Sequence, residues 1–395
     1  MTRSRLLLLA SSLLSILGLA AACGDDDAMV RTRPDGGAEA LVPTDGGDTD
    51  AGSLACGVSI PTTYDAPAFT TNAKVELELR QHFAALEAKM REPEGTSMAV
   101  VTTADLTAIY AQGAPSLRAV STANAQSLVD AYLTQYGDAV GKAWTPSDAD
   151  NDAGAAATGG KYMDTYHFGP TGIDLRETTQ KVLLTGAFYN DALGVAAAPM
   201  TDASVDRLLA AFGASTSLAN RTDADAGEIG DELIAEYASK RDDDTAPTGP
   251  YRKIRSALLT LKVAVPAGEK CKKEVDDAIA TYFAEWEKAS FATVIFYLNA
   301  AVTNAGATKN TAALHGFGEA LGFVQGWKGL PADKRKITDA QVDGLLEKIG
   351  AASPYKLVLV SYQTARVLAI NSAINDIAAI YGFSAAEVEA FKKSF

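Results

Sequence analysis

The chain has 395 residues, enough for one large or two medium domains, and its 47% apolar and 21% charged content is that of a globular protein. Against 49 Asp and Glu stand 35 Lys and Arg; the formal charge of −14 excludes a nucleic-acid binder with a basic stripe and a polybasic membrane binder. Three cysteines exclude a four-cysteine zinc or iron–sulfur cage within one chain, and three histidines exclude a four-histidine site.

The N-terminus reads as an address. Arg3 and Arg5 form a basic region, Leu6 to Leu19 an apolar one, and Ala20-Ala21-Ala22 precede Cys23. This is the pattern of a secretory signal over residues 1–22, too short to span a bilayer permanently. Small residues before a cysteine resemble the bacterial lipobox, with Leu19 one position early. In that reading Cys23 is acylated and anchors the protein in a membrane; the alternative is an ordinary signal with an incidental cysteine. Residues 23–55 then form an acidic Asp/Gly tether with almost nothing apolar to bury, read as disordered. Losing Arg3 and Arg5 with the signal takes the charge from −14 to −16, so lipid rather than charge does the anchoring. With Cys23 acylated, Cys56 and Cys271 remain as an even pair in an oxidising compartment. They are expected to form a disulfide, two free buried thiols being the alternative.

From residue 56 the body reads as helices. Asn72 to Arg91 carries Val75, Leu79, Phe83, Leu86 and Met90 at helical spacing, and Pro93 and Gly95 end it. Met98 to Thr102 is the best strand candidate. Helices are expected at Ser121–Val140, Ile173–Leu193, from Thr201, at Gly227–Lys240 and at Tyr251–Val263. Others come at Glu274–Val302, Thr311–Trp327, Thr338–Ile349, Lys356–Tyr381 and Ala385–Phe395. The fold class is therefore all-α, long antiparallel helices in one or two packed bundles. The loop at 241–250 divides the body into two halves, either sharing one core or folding as two domains. Tyr282, Phe283, Trp286, Phe291, Phe296 and Tyr297 crowd one helix, which reads as core where helices cross, or as a haem or peptide groove. Asp148, Asp150 and Asp152 alternate like the start of a calcium loop. Gly159, however, stands where the closing glutamate is needed, so a flexible acidic loop is the stronger reading.

Two stretches carry a family resemblance: Gly159-Gly160-Lys161-Tyr162 with Gly172-Ile173-Asp174-Leu175-Arg176-Glu177, and Trp286-Glu287-Lys288 with His315-Gly316-Phe317-Gly318-Glu319-Ala320-Leu321-Gly322-Phe323. Over residues 60–395 the chain resembles an uncharacterised family of helical bacterial lipoproteins distantly similar to the imelysins. That resemblance implies an all-α, imelysin-like fold at the cell envelope, outer membrane or cell surface. It also implies a binding role accessory to iron or metal acquisition, with envelope uptake proteins or a small ligand as partners. The imelysin motif Gly-x-His-x-x-Glu is not matched, which weakens a peptidase reading.

His315 and Glu319, at i and i+4, project from one helix face about one turn apart, so an imidazole and a carboxylate can reach one ion, iron or another divalent metal. A third ligand must come from another helix, with His167 and Asp174 as candidates. The alternative is a packing pair. Gly316, Gly318 and Gly322 on the same helix each cost about 1 kcal/mol against alanine and imply close approach of a backbone or ligand. Arg176, Glu177, Gln180 and Lys181 read as a polar cluster lining a groove, or as a solvated face. No His-Glu-x-x-His, serine elbow or phosphate loop is present, so an enzyme is the less favoured class. A metal-dependent hydrolase and a purely structural or protein-interaction lipoprotein stand as alternatives.

Overall fold

The computed structural model describes residues 52–147, 158–218, 230–242 and 249–393. Cys23, most of the acidic tether and Asp148, Asp150 and Asp152 lie outside them. The described chain is 68% helix and 4% strand, an all-α fold.

Its helices are α1 (Lys74–Arg91), α2 (Thr103–Tyr110), α3 (Ala123–Ala139), α4 (Leu175–Leu183), α5 (Asn190–Ala197), α6 (Asp202–Phe212) and α7 (Leu233–Ser239). They continue with α8 (Pro250–Ala267), α9 (Lys272–Gly306), α10 (Asn310–Gly326), α11 (Asp339–Ile349), α12 (Val360–Tyr381) and α13 (Ala385–Phe391). Single helical turns at Phe69–Asn72 and Leu117–Val120 precede α1 and α3. Thr102, Thr201, Thr338 and Ser384 each close a reciprocal capping box, satisfying donors that a helix start leaves unpaired. Gly350 and Gly382, with left-handed φ of 81° and 72°, end α11 and α12.

Three expectations are corrected. Met98–Thr102 is not a strand. The Ala99 amide donates to Ser97 Oγ at 3.2 Å and the Thr102 amide to Asp105 Oδ2 at 2.9 Å rather than to a strand, and Thr102 caps α2. Of the helix expected over Gly227–Lys240, residues 227–229 lie outside the described residues, 230–232 are not helical, and the helix starts at Leu233, where the chain emerges from an extended Glu232. The long helix expected over Ile173–Leu193 is built in three parts: α4, a π-helical segment at Leu184–Tyr189, and α5. A two-stranded hairpin, β1 (Gly160–Tyr162) and β2 (Tyr166–Phe168), pairs antiparallel with Lys161 opposite His167. Met163 and Asp164 take left-handed φ of 50° and 52° at its tip.

The 35-residue α9 is the spine, with α8 and α10 packed along it; α10 in turn carries α4, which also touches α3. One hydrophobic cluster runs through elements on both sides of the 241–250 segment. Within it Trp286 and Trp327 are wholly buried, and Tyr282, Phe283, Phe291 and Tyr297 are core, with Phe296 at its edge. Cys56 and Cys271 are joined, with Cα atoms 5.2 Å apart, and tie the start of the described chain to the head of α9. The Cys56 amide donates to Glu274 Oε1 at 3.0 Å. No described helix is long and apolar enough to cross a membrane.

Helix α10 meets α4 through its glycines. A Cβ at Gly318 would stand 2.8 Å from Asp174 Cβ, and one at Gly322 would stand 2.6 Å from the Thr178 carbonyl. Between them Thr178 Oγ1 donates to the Gly318 carbonyl at 3.1 Å. Gly316 faces the other way: its nearest neighbour is the Tyr297 carbonyl of α9 at 3.6 Å, an ordinary contact. The close approach read from the three glycines therefore holds for two of them, and a backbone makes it.

Candidate functional site

The close α4–α10 contact presses polar faces together. Asp174 caps α4: its Oδ1 accepts from the Glu177 amide at 3.1 Å, and its Oδ2 lies 2.9 Å from His315 Nδ1. On the opposite edge of that ring, His315 Nε2 stands 3.5 Å from Glu319 Oε1. Glu319 Oε2 faces Lys181 Nζ at 3.3 Å and has no hydrogen-bond partner among the described residues. Lys181 also donates to Glu177 Oε2 at 2.9 Å, and Arg176 reaches the other Glu177 oxygen at 2.5 Å. Arg176 is completed by Glu94, whose Oε1 accepts from its Nε at 2.9 Å, with Glu87 further off at 3.9 Å.

Asp174, Arg176, Glu177, Lys181 and Glu319 are all buried. His315, whose side chain is 15% exposed, is the member that meets solvent. Tyr166, from β2, stacks on its ring at 4.2 Å. The hairpin thus covers the imidazole, and α4 and α10 hold the rest.

Burial works on every group here. It disfavours the charged imidazole, but the hydrogen bond to Asp174 and the charges of Glu177, Asp174 and Glu319 outweigh it and lift His315 to about 10. Burial lifts the Glu319 carboxyl to about 7, against the pull of Lys181. Glu94 is lifted to about 8 by burial, with Arg176 opposing. Glu177 goes the other way: burial would raise it, but Arg176 and Lys181 hold it well below the usual carboxylate range.

Of the residues singled out from sequence, His315, Glu319 and Asp174 come together. His167 does not join them. Its ring packs on Tyr136 at 5.2 Å, both ring nitrogens are buried without a partner among the described residues, and burial lowers it to about 4. Arg176, Glu177 and Lys181 are not a solvated face, being buried against α10 and α1. Glu177 is the third ligand group that sequence did not assign. It, His315 and Glu319 offer ligand atoms all within 4.8 Å of one another. Glu94 and Glu87 were missed altogether; only their position beside Pro93-Glu94-Gly95, in and just beyond the last turn of α1, hinted that the chain turns back there.

Chemically, the cluster presents two carboxylates and an imidazole whose distal nitrogen is oriented by a carboxylate. That carboxylate–histidine arrangement is the one that fixes a histidine's tautomer for a metal. Ligand distances near 2.1 Å suit first-row divalent ions with imidazole and carboxylate donors. No known protein family, curated protein or solved structure matches the chain.

Proposed function

We propose that this is a lipid-anchored protein of the bacterial cell envelope that binds a first-row divalent metal ion through Glu177, His315 and Glu319, accessory to iron or metal acquisition. One observation carries the metal reading: His315 is held at Nδ1 by Asp174 while Nε2 points at Glu319, with Glu177 close by. Binding removes the His315 proton and takes over part of the neutralising work of Lys181. The net change brings a doubly charged ion to a cluster rich in buried acid. Anchoring through Cys23 rests on the N-terminal pattern, and membrane attachment on that acyl group.

A second reading has its own support. Lys181 already bridges Glu177 and Glu319, so the cluster satisfies itself as a packing network between α4 and α10. A hydrolase needs, besides the ion, an open coordination position and a base beside it.

Elemental analysis separates these. The full chain is offered iron, zinc, copper and calcium in turn, beside His315→Ala combined with Glu319→Ala. Near-stoichiometric first-row metal in the wild type, lost in a variant that keeps its helical circular dichroism, supports the metal reading. Hydrolysis abolished by chelation then assigns an enzyme. A wild type that stays empty with all four ions leaves the packing network.

A further inference from the structure

The segment between α1 and α2 has the sequence of a strand and no strand beside it. From Thr96 to Val101 exposure alternates: Thr96, Met98 and Val100 are exposed, Ser97 and Ala99 half-buried and Val101 buried. That is the period of two of an extended chain, in which the backbone groups of alternate residues share one edge. The odd-numbered edge is engaged. The Gly95 amide donates to the Thr165 carbonyl at 2.9 Å, the carbonyls of Gly95 and Ser97 accept from Lys161 Nζ at 2.7 and 2.9 Å, and the Ala99 amide reaches Ser97 Oγ. This edge faces the β1–β2 hairpin.

The other edge is open. The amides and carbonyls of Thr96, Met98 and Val100 have no partner among the described residues. Exposed edges are ordinarily blunted by lysine, proline or a covering element. This one is not: Gly95 to Ala104 holds no charged residue and no proline. Met98 and Val100 are 87% and 77% exposed, and Met163, at the hairpin tip two residues before Thr165, is 70% exposed. Apolar side chains and bare backbone therefore face solvent together.

We infer that this edge docks an extended peptide segment of a partner protein, which adds as a strand along Thr96, Met98 and Val100. In strand addition the partner's main chain fills the open donors and acceptors, and alternate side chains give selectivity. Apolar, β-branched residues of the partner lie across from Met98 and Val100. The surroundings are acidic: Asp105 follows the segment and Asp164 stands at the hairpin tip, both exposed and without an ion pair among the described residues. The partner segment is therefore expected to carry Lys or Arg at its ends. A second copy brings the same uncompensated acids and a further charge of −14. A bilayer core offers the bare backbone neither donor nor acceptor. Docking here is independent of metal at His315, although Tyr166 of the same hairpin stacks on that ring.

Fluorescence polarisation of the full chain with a labelled Lys-Thr-Val-Thr-Val-Thr-Lys peptide tests this. The same peptide with proline at both valines, and one with glutamate at both ends, are run beside it. Val100→Pro and Val100→Thr are the variants. The Val100 amide has no partner among the described residues and Ala99 lies in the extended run, so proline fits without breaking a bond of the fold. Threonine keeps both the amide and the β preference. Wild type is expected to bind the valine peptide, with Met98 and Val100 amides gaining hydrogen-exchange protection. Proline in the peptide, or Val100→Pro in the protein, weakens binding about tenfold or more, the loss of one or more main-chain hydrogen bonds. Glutamate ends weaken it as well, and Val100→Thr stays within about threefold of wild type. No binding of the valine peptide, equal binding of the proline peptide, or unchanged binding by a folded Val100→Pro overturns the inference. A concentration-dependent dimer in sedimentation that Val100→Pro abolishes also overturns it, and assigns the edge to a second copy.

Discussion

Gly322→Ala is the sharpest probe of how α4 and α10 are held. The new Cβ would stand 2.6 Å from the Thr178 carbonyl, 2.7 Å from Lys181 Cβ and 3.0 Å from Thr178 Cα. These atoms are backbone or fixed to it, so they cannot swing aside. Ordinary contact starts near 3.4 Å, and α4 must retreat by about 0.8 Å. Overpacking of this kind costs about 1–3 kcal/mol, while replacing an interior helical glycine returns about 1 kcal/mol. Retreat also stretches the Thr178–Gly318 hydrogen bond and the Lys181–Glu319 contact, at 3.1 and 3.3 Å. A net loss of about 1–2 kcal/mol, and a melting temperature lower by about 2–6 °C, is expected. Gly316→Ala is the internal reference, because its nearest atom is 3.6 Å away. It should gain up to about 1 kcal/mol from helix propensity alone. Guanidinium melts of both variants read the difference directly. Equal stabilities would refute a backbone-to-backbone contact along this face.

Lys181→Met leaves Glu177 and Glu319 without their shared cation, so stability should fall by about 3–5 kcal/mol. Added divalent metal should then raise its melting temperature more than that of the wild type; no metal-induced shift in either protein would count against the metal site. Asp174→Asn keeps an acceptor for the Glu177 amide but removes the charge that orients His315. Metal affinity should drop about 10- to 100-fold in competition titrations, and the metal-free protein should also lose stability, because the buried imidazolium is left without its partner. Stability should also decline from about pH 5 to about pH 8. Burial raises Glu94 to about 8, Glu319 and Asp191 to about 7, and Asp231 and Asp242 to about 6. The folded chain thus keeps protons that the unfolded chain has released, and loses that advantage as each carboxyl ionises. His315, raised to about 10, acts in the same sense above its ordinary value; His167, lowered to about 4, and Glu177, held well below the usual carboxylate range, oppose it on the acid side. A guanidinium midpoint that climbs towards pH 8 would show these acids to be ionised throughout.

The helices were legible because their apolar residues recur at 3.6-residue spacing over long stretches, and their starts because caps such as Thr338 and Ser384 stand there. The hairpin was not: its strands are three residues each, too short to alternate, and its tip uses methionine and aspartate at left-handed φ rather than glycine. The π segment leaves no mark in the apolar pattern, because both its neighbours continue the same buried stripe. His315 and Glu319 were visible as an i, i+4 pair. Glu177 and Lys181 were harder, since Leu175-Arg176-Glu177-Thr178-Thr179-Gln180-Lys181 has the pattern of a helix with one wet face. Pattern alone cannot tell that the polar side is pressed against another helix. The glycines at 318 and 322 were the local signal, since a stripe without side chains on α10 asks for a close partner.

The Cys56–Cys271 link has a mechanical consequence. A pull on the chain upstream of Cys56 passes across the sulfur atoms straight to Cys271, at the head of α9. Residues 57–270 form a closed loop that carries no tension. Load therefore enters at the longest and most deeply packed helix, and the site between α4 and α10 feels it only through the flank of α9. A strain on any leash at the N-terminus would draw on the spine of the fold before peeling α1 from its edge.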